Sequence, residues 1–167
     1  MPEIYLSAGA IDARVRELGA EIRTRGGDGT LVLTGVLKGA AIFFADLARA
    51  LPGPSEFAFL RARSYEGTES TGEVQVEFSG PEALGGRDVV LVDTILDTGH
   101  TMKAVREVVD TLGARSVTTC VLLDKPSRRE VDVAADLVGF EVPDLFLVGY
   151  GLDHDGRYRG LRDLAVL

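Results

Sequence analysis

With 167 residues, a formal charge of −8 and 46% hydrophobic against 26% charged residues, the chain has the make-up of one soluble globular domain, residues 1–167, whose core needs no covalent staple. The acidic balance argues against nucleic acid as the main partner. No apolar run approaches a membrane span and the first residues lack the regions of a signal peptide, so the cytoplasm is the expected compartment.

Ser7 is placed to cap a helix over Ala8 to Arg25, with Ile11, Val15, Leu18 and Ile22 on one stripe and Gly26-Gly27 ending it. Leu31 to Val36 reads as a buried strand, and Gly39 to Leu51 as an apolar helix stopped by Pro52-Gly53. Glu56 to Arg63 reads as an alternating strand with Phe57 and Phe59 inward and Arg61 outward. Tyr65 to Gly72 has no apolar period and Glu73 to Phe78 alternates again, so two strands are expected to flank a long polar loop as a hairpin.

Val89 to Val92 is a run of four apolar, mostly β-branched residues, the pattern of a strand buried on both faces of a parallel sheet. The run is expected to end at Asp93. A short loop to Thr101 follows, then an amphipathic helix with Val105, Val108, Val109 and Leu112 on one stripe, ending at Gly113. Val117 to Leu123 is another buried strand; it holds the single cysteine, Cys120, which can form no internal disulfide and reads as core. Leu137 to Phe140 and Phe146 to Val148 are short strands around Pro143, and the tail from Asp153 turns from polar to apolar. Repeated strand–helix–strand units predict an α/β fold with a largely parallel sheet and active residues beyond its carboxyl ends.

The strand, polar loop and helix start spanning Asp93 to Thr101 form a candidate anion site. Unpaired N–H groups and the positive end of the helix dipole face such a loop, threonine hydroxyls add donors, and Gly99 lets the backbone close around a phosphate. Asp93 and Asp97 beside that cradle suit a sugar phosphate held with Mg²⁺. The plainer reading is an ordinary turn with Asp97 or Thr98 as N-cap. Lys38 and Gly39, between the first strand and its helix, share a sheet edge with this loop; a cation and a close backbone approach suit a pyrophosphate, and a solvated lysine is the alternative. Arg outnumbers Lys fifteen to three, which draws notice to Lys38 and Lys125, while Lys103 reads as plain helix surface. Lys125 opens a basic loop ending in Arg128-Arg129, and reads either as a donor to a ligand carbonyl or as a turn lysine. Phe146 alone reads as a core aromatic. Two histidines, His100 and His154, make no metal pattern.

The stretch Val89 to Thr101 resembles the phosphoribosyl-diphosphate (PRPP) motif of the type I phosphoribosyltransferases: an apolar strand, acids, two apolar residues, then Asp97-Thr98-Gly99-His100-Thr101. It departs from the motif at one place, with Asp93 followed by Thr94 where that family usually has two adjacent acids. Gly35 to Gly39, Ser64-Tyr65 with Gly67 to Ser70, Leu122 to Arg129 and Val148 to Asp153 extend the likeness over almost the whole chain. Together these pieces resemble the hypoxanthine-guanine phosphoribosyltransferases of the short bacterial kind.

That resemblance implies a largely parallel twisted sheet flanked by helices, a small hood region and a mobile loop. It implies purine salvage by Mg²⁺-dependent transfer of the phosphoribosyl group from PRPP to N9 of a 6-oxopurine, in a homodimer or homotetramer. Asp97 is then the general base, and Asp93, Thr94, Thr98, Gly99, His100 and Thr101 complete the ribose and 5′-phosphate site. Lys38, Gly39 and Arg159 meet the pyrophosphate; Lys125, Phe146, Leu147 and Asp153 surround the purine. Asp93 and Asp153 serve Mg²⁺, and the loop opening at Ser64 and Tyr65 closes over the site. Thr94 cannot supply a second negative charge, so weaker PRPP or Mg²⁺ binding is expected than with two acids, and Thr94→Asp is expected to lower the KM for PRPP. A xanthine-preferring transferase and a non-catalytic PRPP-binding regulator are the alternative readings.

Overall fold

The computed structural model describes residues 2–64 and 74–167. Its larger sheet contains β2 (Leu31–Leu37), β3 (Ser55–Ser64), β4 (Val74–Ser79), β5 (Asp88–Leu96), β6 (Ser116–Asp124) and β7 (Leu137–Glu141). The order is β4-β3-β2-β5-β6-β7, and every pairing is parallel except β3 with the edge strand β4. Helices α1 (Ala8–Gly26) and α2 (Ala41–Ala50) lie over one face and α3 (His100–Thr111) over the other.

This two-sided cover explains the unbroken apolar run in β5. Val90 and Val92 pack with α1 and α2, while Val89 and Leu91 pack with Val105 and Val109 of α3. The expected α1 stripe is the buried one, and Ser7 Oγ accepts from the Ala10 N–H at 3.3 Å. Each of its buried aliphatic side chains contributes about 1.5–3 kcal/mol of gross burial energy. Cys120 is fully buried, and desolvation pushes its thiol up to about 12, so it is inert core.

Three expectations need correction. Phe57, Phe59 and Arg61 share one face of β3, because side chains alternate with period two. Ala58 and Leu60, on the opposite face, are fully buried on the α3 side; Phe57 is 52% exposed, and only Phe59 turns inward, half-buried against Phe44 of α2. Strand β5 does not end at Asp93 but runs to Leu96, held by pairs such as Asp93 with Val121 and Leu96 with Asp124 on β6. Helix α2 begins at Ala41 and not Gly39: Ala40 N–H donates to Val36 O and Ala41 N–H to Lys38 O, both at 3.1 Å, turning residues 38–40 before the helix starts.

A second, antiparallel sheet of three strands was not legible beyond its β8 member. It has β1 (Glu3–Leu6) and β8 (Leu147–Val148) on either side of β9 (Leu164–Val166). Because β2, β5 and β6 run parallel, residues 37–40, 96–101 and 124–129 emerge at the same sheet edge.

Candidate active site

The β5–α3 loop is built as an anion cradle. The helix cap is Gly99, at φ 95°, and no side chain caps the helix start, so the plainer N-cap reading of Asp97 or Thr98 fails. The N–H groups of residues 98 to 102 find no acceptor among the described residues, nor do the Thr98 and Thr101 hydroxyls form hydrogen bonds there. Five consecutive free N–H groups at a helix N-terminus favour a bound anion. Gly99 serves this loop differently from the expectation. Its missing side chain leaves room for protein, not ligand: a Cβ there would lie 2.4 Å from Val133 Cγ1 and 3.0 Å from Val131 Cγ2. The His100 ring also turns aside, its Nε2 lying 2.7 Å from Glu130 Oε2, so only the backbone of His100 faces the cradle.

Asp93 and Thr94 are still in the strand and therefore point to opposite faces. Asp93 is part-buried and accepts from the Thr94 N–H at 2.7 Å; burial pushes its carboxyl up to about 7. Thr94 is fully buried, and its hydroxyl donates to the Gly39 carbonyl at 3.0 Å. The expected contact of Thr94 with ribose is thus not what the structure places there. Beyond it, Lys38 is exposed with no ion pair among the described residues, and the Leu37–Lys38 peptide is cis. A Cβ on Gly39 would meet nothing within 4 Å among the described residues beyond its chain neighbours.

Asp97 faces the basic loop after β6. Arg128 Nε donates to Asp97 Oδ1 at 3.1 Å and lies 3.7 Å from Asp144 Oδ1. That same Asp144 oxygen is 3.9 Å from Lys125 Nζ. Lys125 is buried and donates to Leu145 O at 2.6 Å, which leaves two of its three protons for a ligand. Phe146 is not a core aromatic: it is 55% exposed and meets His154 edge-on at 5.5 Å. Phe146 O accepts from Leu167 N–H at 3.1 Å, so by the alternation of an antiparallel pair the N–H and C=O of Leu147 turn away from β9, along the open edge of β8.

Arg129, noticed in sequence only as part of a basic pair, clamps the loop. It donates to the carbonyls of Leu96, at 3.2 Å, and Asp97, and to the Asp124 carboxylate. Lys125 N–H to Leu96 O and Glu130 N–H to Thr98 O, both 2.9 Å, lace the two loops together. Asp144, the bridge between Lys125 and Arg128, carried no signal in sequence.

Asp153 is engaged by protein: Arg159 pairs with it at 2.6 Å and the Gly156 N–H donates to it at 2.8 Å. Arg159 also donates to the Gly151 carbonyl, tying the 151–159 loop together. Among the described residues no group of three or more His, Cys, Asp or Glu side chains forms a metal cage. Single carboxylates such as Asp93 and Asp153 nonetheless fit Mg²⁺, which binds through one or two carboxylates together with substrate phosphates. Ser64 ends β3 opposite Val74, and Tyr65 with the expected loop lies outside the described residues. A cavity of about 980 Å³ lies elsewhere, between α1, α2 and residues 160–162. Its carboxylates Asp12 and Asp46 pair with Arg16 and Arg49.

A family model described as the phosphoribosyl transferase domain matches residues 3–155. The chain is 43% identical over 162 residues to the hypoxanthine phosphoribosyltransferase of Salmonella typhimurium, covering 95% of this chain and 91% of that one. It is 41% identical over 166 residues to the hypoxanthine-guanine phosphoribosyltransferase of Bacillus subtilis, covering 99% and 92%. Among solved structures, a hypoxanthine phosphoribosyltransferase from Staphylococcus aureus superposes with a TM-score of 0.92 at 38% identity, covering 99% of this chain and 90% of that one. A hypoxanthine-guanine phosphoribosyltransferase from Bacillus anthracis gives a TM-score of 0.93 at 34% identity, covering 100% and 99%. Sheet order, the cradle at the head of α3 and relatives alike over nearly their whole length agree that the chain belongs to the phosphoribosyl transferase family, in its hypoxanthine-guanine phosphoribosyltransferase branch.

Proposed function

We propose that the protein transfers the phosphoribosyl group of PRPP to N9 of hypoxanthine or guanine, giving IMP or GMP and pyrophosphate, as a purine-salvage enzyme. One observation carries this reading: Asp97 stands between a row of free N–H groups and the Arg128–Asp144–Lys125 charge chain beside exposed Phe146. The 5′-phosphate is held by the N–H groups of residues 98 to 102 with the Thr98 and Thr101 hydroxyls. Asp97 takes the N7 proton of the base as the bond from N9 to C1′ forms and the bond from C1′ to the pyrophosphate oxygen breaks. Lys38, the Gly39 N–H and Arg159 stabilise the departing charge. Asp93 and Asp153 would hold an Mg²⁺ carried in on the pyrophosphate, and the ion, when bound, supplies further positive charge there. Phe146 stacks on the ring, Lys125 donates to O6, and the free edge of Leu147 meets the purine edge. Adenine is disfavoured because its amino group would face another donor. An oligomer of identical subunits, dimer or tetramer, belongs to the same reading; exposed Phe57 beside Phe44 and Phe59 offers it an apolar surface.

The test mixes protein, PRPP and Mg²⁺ with hypoxanthine, guanine, xanthine or adenine and separates the products. Nucleotide is expected from the first two, and none from adenine. Asp97→Asn is expected to lower kcat by roughly 10²–10⁴-fold, the range for a removed general base. Xanthine outrunning both favoured bases, or no nucleotide from any, overturns the assignment.

A further inference from the structure

Thr94 and the loop it touches carry an inference that rests on the proposed reading of the site and goes beyond it. The Gly39 carbonyl is boxed in from two sides. Thr94 Oγ1 donates to it at 3.0 Å, and a Cβ on Gly151 would lie 2.1 Å from the same oxygen and 3.8 Å from Thr94 Oγ1. The Ala40 and Ala41 N–H groups are used within the turn, by Val36 O and Lys38 O. The N–H groups of Lys38 and Gly39 find no acceptor among the described residues, and beyond its chain neighbours none of those residues lies within 4 Å of where a Gly39 side chain would start. The loop therefore presents two free N–H groups and one ammonium outward while its carbonyl is tied inward.

Glycine has the widest choice of backbone angles, so a free Gly39 could turn its carbonyl out toward an anion. A carbonyl there would oppose the charge that the two N–H groups attract. We propose that Thr94 is a positioning residue: without touching substrate, its hydroxyl pins the Gly39 carbonyl inward, so that the Lys38 and Gly39 N–H groups stay aimed at pyrophosphate. In this chain the contact with the Gly39 carbonyl takes its donor from position 94. Thr has one, and an ionised carboxylate has none. An acid in this buried place would set its charge against the carbonyl dipole and drive the peptide to turn. This reverses the expectation from sequence, in which an acid at 94 strengthens the site.

Binding calorimetry separates the roles without turnover, using inorganic pyrophosphate with Mg²⁺ as one probe and IMP as the other. IMP carries the ribose and 5′-phosphate but leaves the 37–40 loop alone. Thr94→Val, which keeps the shape and loses the donor, is expected to weaken pyrophosphate about fivefold to tenfold, the worth of one hydrogen bond, with IMP unchanged within about twofold. Thr94→Ser is expected to restore pyrophosphate binding, and Thr94→Asp to weaken it. Gly151→Ala, which crowds the same carbonyl, is expected to repeat the Val pattern. Equal weakening of both probes in Thr94→Val, meaning contact with ribose, overturns the proposal. So does no change in either probe, or tighter pyrophosphate binding by Thr94→Asp. Should Thr94→Val not fold, the Ser and Asp variants decide by the same comparison. A wild-type protein that binds both probes yet makes no nucleotide overturns the proposed reaction and leaves the Thr94 result standing; one that binds neither probe overturns both.

Discussion

Thr34 sits in the middle of β2, fully buried with Val32 and Val36 on the α3 side, and its hydroxyl has no hydrogen-bond partner among the described residues. A buried donor left unpaired costs about 1–3 kcal/mol. Thr34→Val keeps the shape and is expected to stabilise by about 1 kcal/mol, which is about 2–4 °C in Tm for a chain of this size. A calorimetric Tm that stays put or falls contradicts the orphan hydroxyl. Asp93 gives a pH-dependent effect of known sign. Its folded carboxyl is held near 7 by burial against an ordinary value of 3.8. The folded chain therefore keeps a proton that the unfolded chain has lost between those values, and stability from this residue falls as pH rises from about 4 to about 7. Asp93→Asn cannot ionise, so its Tm relative to wild type is expected to climb across that window and level off above it. A difference in Tm that is flat with pH would show that Asp93 titrates like an exposed acid. The opposite fates of Asp93 and Thr94 follow from strand alternation alone. They were hidden in the sequence because two polar residues after an apolar run look like the start of a loop.

Elements show the same mixture of legible and illegible. The stripe of α1 and the runs in β2, β5 and β6 could be read because each element's own period reveals its buried face. The more deeply buried face of β3 could not: Phe57 and Phe59 are the larger residues and Phe59 is half-buried against Phe44, yet Ala58 and Leu60 under α3 are the fully buried pair, and how closely each face is covered is a tertiary fact. The loop carrying Asp97 depends on a residue that the sequence showed only as one of a basic pair. Arg129 is the fork that holds the Leu96 and Asp97 carbonyls, and each hydrogen bond from a charged donor contributes about 1.5–3 kcal/mol. Arg129→Met is expected to lower Tm and to cut kcat/KM by tenfold or more, since Asp97 loses its fixed backbone. Arg129→Lys should recover little, because a point charge cannot replace a planar fork. Full activity in the Lys variant would mean that charge, not geometry, is what the loop needs.

Across the whole molecule, work is divided between two sheets. The phosphate cradle, Asp97 and Lys125 stand at the carboxyl edge of the six-stranded sheet, whereas Phe146 and Leu147 belong to β8 of the three-stranded one. That smaller sheet is closed by pairing the two ends of the chain, β1 with β9, and so had no local pattern from which to be read. Its central strand is the point of attack. Ala165 pairs with Ile4 on one side and Val148 on the other, and because Phe146 O takes the Leu167 N–H, alternation aims the Ala165 N–H at β8. Ala165→Pro removes that donor from a central strand, a change worth about 3 kcal/mol or more in regular structure. The damage should fall on β8 and so on the purine end alone. The KM for hypoxanthine is expected to rise by an order of magnitude, while affinity for ribose 5-phosphate, whose 5′-phosphate is assigned to the β5–α3 cradle in the proposed reading, stays within about twofold of wild type. Loss of both together would mean that the two sheets stand or fall as one unit, and that the base site is not carried by the hood on its own.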